Sequence, residues 1–332
     1  MLAFGMSRQI HSYLRLLCTS LLIVFGLFIS AYSTLTPNTQ AAFTPDAVIK
    51  PPSVALVLGG GGAKGFTHVG VIKALEENGI KPTLIVGTSV GSLIGSLYAS
   101  GYTPEQLEQL ALTTTDSQLT DFTLSNQGFI EGIKLRDFIN DKVGQRRIEA
   151  FPIAFAAIAA EKHTLKKMVF TSGNAGLVVQ ASCSVPNIFI APRIPERVGK
   201  KYIDGGVVSL VPVDSARELG ADIVIAVDVT DVTASQSRTP SKTFSLNSLS
   251  DFWGFLETNV ISPSISAQYS SSIQRERDRA DIVIVPDVAH VSSIDTKRRR
   301  DVIKAGAQAT TPHINAIKQL IQQASYNTDT VR

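Results

Sequence analysis

Short apolar runs alternate with amphipathic stretches along most of the chain. The runs at 54–58, 84–86, 153–159, 223–229 and 282–285 have the length and composition of buried strands, and helix-like stretches separate them. This alternation is typical of a mostly parallel sheet that helices cover on both faces. The pattern therefore predicts an α/β fold with three layers in the order α/β/α.

Local signals mark two of the predicted helices. The run Thr103–Gln106 is a capping box with proline at the first helical position, and it opens a helix directly after the one that follows Ser89. The segment Arg217–Asp222 ends another helix before the strand that leads to Asp228. Both helices fit the alternating pattern.

The beginning of the chain has a different pattern. Residues 16–45 contain no charged side chain, and Leu16–Tyr32 is densely apolar. Arg8 and Arg15 precede this run, as in the basic and apolar regions of an export signal. The apolar core is at the short end of the roughly 17 to 25 residues that span a bilayer, so a cleaved signal and a retained anchor both stay open. We assign 1–45 to an export signal or N-terminal membrane anchor with its linker. The positive flank predicts that the rest is exported to the periplasm or the medium.

The remainder of the 332-residue chain is long enough for one large domain. We expect its main part at 54–229 and its C-terminal part at 230–325. Within the latter, 233–250 is rich in Ser and Thr and precedes the aromatic segment Phe252–Leu256. This composition predicts a flexible loop and an amphipathic helix, which form either a lid or membrane-contacting element or a surface insertion packed on the sheet.

Charge and cysteine content exclude some classes of function. The net charge of +3 is too small to indicate nucleic-acid binding. The basic run Lys297–Arg300 opens the last helical region, where it either meets anionic lipid headgroups or forms a solvated helix face. Of the two cysteines, Cys18 lies in the leader, and Cys183 is expected to be a small packing residue.

A serine between two glycines follows the second predicted strand. Gly87, Ser89 and Gly91 form a G-x-S-x-G sequence between an apolar run and a helix-like stretch. At such a corner the serine hydroxyl is pushed out of the backbone at the positive end of a helix, and the glycines permit close backbone approach. Ser89 is therefore a candidate nucleophile.

A run of glycines follows the first predicted strand. Backbone N–H groups in such a run form a concave site for an anion or for charge that develops during a reaction. Gly60, Gly62 and Gly65 match a dinucleotide fingerprint, but the acidic residue required after the next strand is replaced by the serine motif. A nucleotide P-loop requires Gly-Lys-Ser/Thr, and the Lys64–Gly65 pair does not supply it. An oxyanion hole is the interpretation that uses both motifs together.

A nucleophilic serine requires a base. Asp204 ends an apolar stretch and precedes Gly205 and Gly206, whereas Asp228 and His290 follow two other predicted strands. From spacing alone, a triad of serine, one of these aspartates and His290 stays open. The remaining histidines, which are expected to be solvated or to cap helices, are His11, His68, His163 and His313.

Taken in order, the motifs resemble the patatin-like phospholipase family. The resemblance rests on the glycine run Gly60–Gly65, the serine motif Gly87–Gly91, the segment Ala181–Pro186 and Asp204–Gly206, and it extends from about 54 to about 229. It implies hydrolysis of acyl esters by a serine and aspartate dyad without a catalytic histidine. By position, the nucleophile is Ser89, the base is Asp204, and the oxyanion hole is formed by the amides of Gly60, Gly61 and Gly62.

The resemblance also specifies what the site must provide. A carboxylate near its ordinary pKa is a weak base for a serine hydroxyl, so burial is expected to raise the pKa of Asp204. Lys64 has two possible roles. Its positive charge stabilises the oxyanion or binds a lipid phosphate, or its side chain is simply solvated at the start of a helix. We expect a phospholipid or other lipid ester as substrate, a membrane surface as partner, and no metal or cofactor. The alternative is a binding protein whose glycine loop holds a nucleotide or lipid phosphate.

Overall fold

The five strands that the sequence predicts lie in one sheet, joined by others that it does not predict. The computed structural model describes residues 51–230, 276–293 and 295–330, which belong to one compact unit beginning at Lys50. The strands are β1 Val54–Leu58, β2 Leu84–Thr88, β3 Phe122–Ser125, β4 Gly128–Ile130, β5 Ala154–Glu161, β6 Lys167–Phe170, β7 Arg193–Ile194, β8 Lys200–Asp204, β9 Ile223–Val227 and β10 Ile282–Ile284.

Helices separate the strands and follow the last one. The described helices are α1 Thr67–Glu77, α2 Val90–Ala99, α3 Pro104–Thr113, α4 Asp116–Leu119, α5 Ile133–Lys142, α6 Ala175–Ser182, α7 Val213–Glu218, α8 Arg299–Thr310 and α9 Ile314–Thr330. Thr103 caps α3 as predicted: its hydroxyl accepts from Gln106 N, and the Gln106 side chain accepts from Thr103 N. None of the described helices combines the length and apolarity that a membrane span requires.

The eight-stranded sheet is mixed and mostly parallel. Its order is β10-β9-β1-β2-β5-β8-β7, with β6 also paired to β5. The neighbouring pairs from β10 to β5 are parallel, whereas β6 and β8 run antiparallel to β5 and β7 runs antiparallel to β8. The predicted α/β fold is confirmed, and the antiparallel strands at the β5 end are its unpredicted part.

The register on β5 determines where β8 lies. β2 and β6 both pair with Ala157 and Ile158, so they occupy opposite edges of β5. β6 and β8 both pair with Ala159 and Ala160, so they also occupy opposite edges. Consequently β8 lies on the same edge of β5 as β2, and it approaches the end of β2 from the opposite direction.

Helices cover both faces of the sheet because alternate strand residues point to opposite sides. On one face, Leu56 and Ile85 pack in a large cluster with residues of α1, α2 and α8. On the other face, Val57 and Val86 pack in a smaller cluster with Val213 of α7. The three predicted layers are therefore present.

Two of the predicted segments lie outside the described residues. They are the export signal or anchor with its linker, at 1–45, and the Ser/Thr-rich loop with its aromatic helix, at 231–259.

Candidate active site

Ser89 occupies a strained corner between β2 and α2. Its backbone has φ 54° and ψ −128°, a conformation that costs a residue other than glycine on the order of 1–3 kcal/mol. Two hydrogen bonds from distant segments hold the corner: Ser89 N donates to Ser182 Oγ at 2.9 Å, and Thr88 Oγ1 donates to Ser209 O at 2.9 Å. The side chain is half-buried. The predicted strand-to-helix corner is therefore present, with its serine accessible.

The glycines on both sides of Ser89 are required by close backbone contacts. A Cβ atom added at Gly87 would lie 2.5 Å from Ser92 N, and one at Gly91 would lie 2.0 Å from Leu58 O. Since both neighbours are backbone atoms, neither glycine can carry a side chain without displacement of the strand or the helix. The motif is thus fixed by packing as well as by the conformation of the serine.

The glycine run after β1 lies directly against this corner. A Cβ added at Gly60 would be 3.3 Å from Ser89 Cβ, and one at Gly65 would be 2.3 Å from Val90 Cγ1. The 3₁₀ helix Gly62–Phe66, which contains the half-buried Lys64, connects the run to α1. The structure therefore brings together the two motifs that the sequence places 30 residues apart.

The amides of the glycine run are not equivalent. Gly60 N donates to Leu210 O at 3.1 Å, and Ala63 N donates to Ser293 O at 2.6 Å. Between them, within the described part of the chain, no acceptor is bound by Gly61 N or Gly62 N. The Gly60 amide, which the sequence analysis included in the oxyanion hole, is engaged in holding the loop. Gly61 and Gly62 are the members of the predicted set with N–H groups free to bind an anion.

Asp204 is the buried carboxylate of the site. It ends β8 with 6% of its surface exposed, and its Oδ1 accepts from Gly206 N at 2.7 Å. Among the described residues, its Oδ2 has no hydrogen-bond partner. The Ser89 side chain lowers the pKa of this carboxyl, although no hydrogen bond between the two side chains is formed. Burial has the larger effect and raises the pKa of Asp204 to about 6, in the direction expected from the sequence.

The register of β5 explains why Asp204 and Ser89 meet. Thr88 pairs with Ile158, and Asp204 pairs with the next residue of β5, Ala159. Because β2 and β8 share one edge of β5, these pairings place the end of β8 against the corner that contains Ser89. Gly205 permits this approach, since a Cβ there would lie 2.3 Å from Ile158 O.

The segment Ala181–Pro186 contacts both residues. Besides the bond from Ser89 N to Ser182 Oγ, Asp204 N donates to Ser184 O at 2.8 Å. Cys183 lies between these serines and is buried, and burial raises the pKa of its thiol. The segment therefore fixes the serine and the carboxylate relative to each other, and Cys183 is a packing residue as expected.

His68 has a role that the sequence analysis does not predict. This residue of α1 is fully buried, and its Nε2 lies 2.8 Å from Gly59 O. Because a carbonyl oxygen only accepts, Nε2 must carry the proton. Nδ1 is buried without a partner among the described groups, and burial lowers the pKa of His68 to about 4. The expectation of a solvated or capping histidine is wrong here, because the side chain points inward beneath the glycine run.

The members of the alternative triad do not meet. His290 is exposed in the loop after β10. Asp228 is buried, but its Oδ1 accepts from Thr230 N at 2.8 Å and its Oδ2 forms an ion pair with Arg277. In the described part of the chain, neither Ser89 nor Asp204 has a hydrogen bond to a histidine. The same part holds no cluster of three or more His, Cys, Asp or Glu side chains that could bind a metal ion.

The fold and the site define an α/β protein with a serine at a strained strand-to-helix corner, a glycine loop beside it and a buried carboxylate facing it. The family described as patatin-like phospholipase matches residues 56–217. The chain belongs to this family.

Relatives occur in animals, fungi and bacteria. Patatin-like phospholipase domain-containing protein 6 of Mus musculus is 30% identical over 285 residues, which are 82% of this chain and 19% of that protein. Lysophospholipase NTE1 of Candida glabrata is 30% identical over 281 residues, 78% of this chain and 16% of the relative. An NTE family protein of Mycobacterium tuberculosis is 34% identical over 189 residues, 56% of this chain and 52% of the relative. The chain thus spans about half or less of the length of these relatives.

A solved structure has the same fold. VipD from Legionella pneumophila superposes with a TM-score of 0.51 at 14% sequence identity, over 80% of this chain and 67% of that one.

Proposed function

We propose that the protein is a lipid acyl-ester hydrolase of the phospholipase or lysophospholipase type, with Ser89 as nucleophile and Asp204 as general base. The observation that carries the proposal is the buried Oδ2 of Asp204, which has no partner among the described residues and faces the Ser89 side chain. A carboxylate with a pKa near 6 is ionised at neutral pH and is more basic than an exposed aspartate.

In the first half of the reaction, Asp204 takes the proton from Ser89 Oγ, and Oγ forms a bond to the carbonyl carbon of the ester. The negative charge that develops on the carbonyl oxygen is bound by the free amides of Gly61 and Gly62. One such donor contributes about 2.7 to 4 kcal/mol to the stability of the transition state. Collapse of the tetrahedral intermediate breaks the bond to the alcohol, which leaves with the proton held by Asp204.

In the second half, Asp204 takes a proton from water, and the resulting hydroxide attacks the acyl-serine. Fatty acid leaves, and Ser89 recovers its proton from Asp204. Lys64 is in the same loop as the two amides, and we propose that its charge stabilises the oxyanion or a lipid phosphate.

A fluorophosphonate probe tests the nucleophile. The wild-type protein is expected to be labelled, and Ser89→Ala is expected to lose labelling while it stays folded. Asp204→Asn should be labelled at least about 100-fold more slowly, because removal of a general base typically reduces a rate 10²- to 10⁴-fold. Ser96→Ala is the matched control, since this buried serine of α2 donates to Leu93 O, away from the site, and should be labelled normally. A folded wild-type protein that resists the probe would favour the rival interpretation, a binding protein for nucleotide or lipid phosphate.

The substrate and the location need separate tests. Incubation of a mixed membrane extract with wild type and Ser89→Ala should yield free fatty acid and deacylated lipid with the wild type only.

We further propose that residues 1–45 direct the domain out of the cytoplasm, where it acts at a membrane surface. Fractionation with a protease-accessible tag at the C-terminus should place the domain outside the cytoplasmic membrane. Retention in the cytoplasm would contradict this assignment.

A further inference from the structure

Two neighbouring turns project beyond the end of the sheet at which Ser89 lies. The first, residues 161–167, is the connection from β5 to β6 with the adjoining residue of each strand. The second, residues 193–201, is the connection from β7 to β8 with all of β7 and the first two residues of β8. Lys162 N donates to Lys201 O at 2.8 Å, so the two turns are in contact. We call them the turn pair.

The turn pair lies close to the candidate dyad. β8 starts within it at Lys200 and ends at Asp204. At a rise of about 3.3 Å per residue, the carboxylate lies roughly 13 Å along the strand from the turn. A surface that the turn pair contacts is therefore within the length of one phospholipid from the site.

The turn pair carries a concentrated positive charge. Its sequence contains seven lysine and arginine residues: Lys162, Lys166, Lys167, Arg193, Arg197, Lys200 and Lys201. Both of its glutamates are already engaged, because Glu161 is buried and accepts from His163 N at 3.1 Å, while Glu196 pairs with Arg136 at 2.7 Å. Partial burial and the proximity of Lys162 and Arg193 lower the pKa of Lys201, which reflects the crowding of like charges.

Each turn also exposes an apolar side chain among these cations. Leu165 is 46% exposed in the first turn, and Val198 is 85% exposed in the second. A single exposed apolar residue is ordinary on a protein surface. Two on adjacent turns, surrounded by lysine and arginine beside a lipid-hydrolase site, form the combination of apolar and cationic groups that binds at the surface of an anionic bilayer.

The other basic run of the chain differs because carboxylates neutralise part of it. In the turn pair, Lys201 Nζ donates to Gln127 Oε1 at 2.6 Å and Arg193 Nη1 donates to Gly199 O at 2.7 Å, and these neutral acceptors leave both charges in place. By its sequence, Lys297–Arg300 is either a lipid-contacting segment or a solvated helix face. In the structure, Arg299 Nη2 pairs with Asp116 at 2.9 Å, and Arg298 pairs with Asp301 at 3.1 Å. Half of that run is thus committed to intramolecular contacts.

We propose that the turn pair is the surface with which the protein binds an anionic phospholipid bilayer, with Leu165 and Val198 inserted at the acyl boundary and the lysine and arginine side chains on the headgroup phosphates. The proposal rests on the proposed function for its substrate, but its test does not require hydrolysis. It deepens that function by specifying which face of the enzyme receives lipid.

Site-specific fluorescence tests the orientation on the full chain. Val198→Cys provides the site for the label. Cys18→Ser removes a second thiol, while Cys183 is buried and stays unlabelled. Ser89→Ala prevents hydrolysis, so that no product alters the bilayer. An environment-sensitive NBD label at position 198 should shift to the blue on vesicles containing phosphatidylglycerol, and much less on pure phosphatidylcholine. Tyr326→Cys, at a position 62% exposed on α9, is the control and should not respond. No shift at 198, an equal shift at 326, or an equal response to neutral vesicles would overturn the proposal.

A charge-reversed variant tests the cations. Lys166→Glu with Lys200→Glu should raise the concentration of anionic lipid needed for half of the position-198 shift at least about tenfold. The matched control is Lys304→Glu with Lys318→Glu, which changes the charge equally at exposed positions on α8 and α9 and should behave as wild type. An unchanged requirement in the turn-pair variant would contradict the proposal.

Activity separates this inference from the proposed function. With Ser89 restored, the Lys166→Glu and Lys200→Glu variant should hydrolyse a soluble short-chain ester at the wild-type rate but lose activity on anionic vesicles. The label at position 198 and the charge-reversed variants can give the expected vesicle binding while no Ser89-dependent hydrolysis is found. In that case the proposed function fails and the bilayer-binding surface stands. If hydrolysis of vesicles is unaffected by the charge reversal, the surface is wrong and the dyad stands.

Discussion

His68 Nε2 donates to the carbonyl oxygen of Gly59 at 2.8 Å, from a position that is fully buried. The peptide group that contains this oxygen also contains Gly60 N, which donates to Leu210 O at 3.1 Å. The peptide plane before the free amides is therefore held at both ends. This plane is joined through Gly60 to the next peptide group, which contains the free Gly61 N–H.

We expect His68→Leu to lower kcat for a soluble ester at least about tenfold with little change in KM. The loss arises because the oxyanion donors are used mainly in the transition state. His68→Gln, whose amide nitrogen can reach Gly59 O, should recover part of the rate. Tyr98→Phe is the control: it removes the hydrogen bond that the buried Tyr98 donates to Glu76, away from the glycine run, so its kcat should be unchanged. If His68→Leu and Tyr98→Phe lose stability alike and neither loses kcat, the histidine has only a structural role.

The pH dependence of the reaction should follow Asp204. The base must be ionised, and burial raises its pKa to about 6, so kcat/KM should fall tenfold per pH unit below about pH 6 and level off above it. The measurement is a pH profile with a soluble ester over the range in which the protein stays folded. A limb centred near pH 4, the range of an ordinary exposed aspartate, would contradict the role of burial.

Asp204→Asn should make the protein more stable at neutral pH. Because the folded pKa is raised from 3.8 to about 6, the favourable contribution of this group is fully present below about pH 4 and is lost as pH rises through 6. The corresponding penalty at pH 8 is at most about 3 kcal/mol. Urea denaturation at pH 8 should therefore show a higher unfolding free energy for the asparagine variant, and the difference should shrink toward pH 4. An asparagine variant less stable than wild type at pH 8 would disprove the argument that ionisation of the buried Asp204 destabilises the fold.

Arg299 is a structural cation, and its replacement by lysine should destabilise the fold. Its guanidinium donates to Ala111 O at 2.8 Å, pairs with Asp116 and lies 4.8 Å from the centre of the Phe66 ring. A lysine ammonium lacks the planar, forked guanidinium and cannot make all of these contacts at once. Arg299→Lys should therefore lower the unfolding free energy by about 2 kcal/mol. The adjacent Arg300→Lys, at an exposed position, is the control and should change it little. Equal values for the two variants in urea denaturation would argue against the assignment.

The sequence predicts those parts of the site that depend on local pattern. Ser89 and the glycine run are recognisable because each lies between a strand-like and a helix-like segment. Asp204 is recognisable through the family resemblance, and its two glycines support it. These predictions required only the immediate neighbours of each residue, together with the order of the motifs.

The parts that the sequence does not predict depend on contacts between distant segments. The occupied amide of Gly60 is bonded to Leu210, and nothing in the glycine run indicates which of its N–H groups a remote carbonyl will take. The burial of His68 places its Nε2 against Gly59 O, at the end of β1, and the sequence of α1 does not show that its side chain points there. The position of β8 on the β2 edge of β5 follows from pairing of Asp204 with Ala159, which no local periodicity encodes.

The bond from Ser89 N to Ser182 Oγ joins positions separated by 93 residues. The strained corner therefore gains this bond only when α6 has docked beside α2, and the facing carboxylate comes later still in the chain, on β8. A nascent or partly folded chain contains the serine but not the conformation that we propose to be reactive. The reactive arrangement that we propose thus requires the completed fold, so that a chain in which α6 or β8 has not yet docked is expected to lack activity.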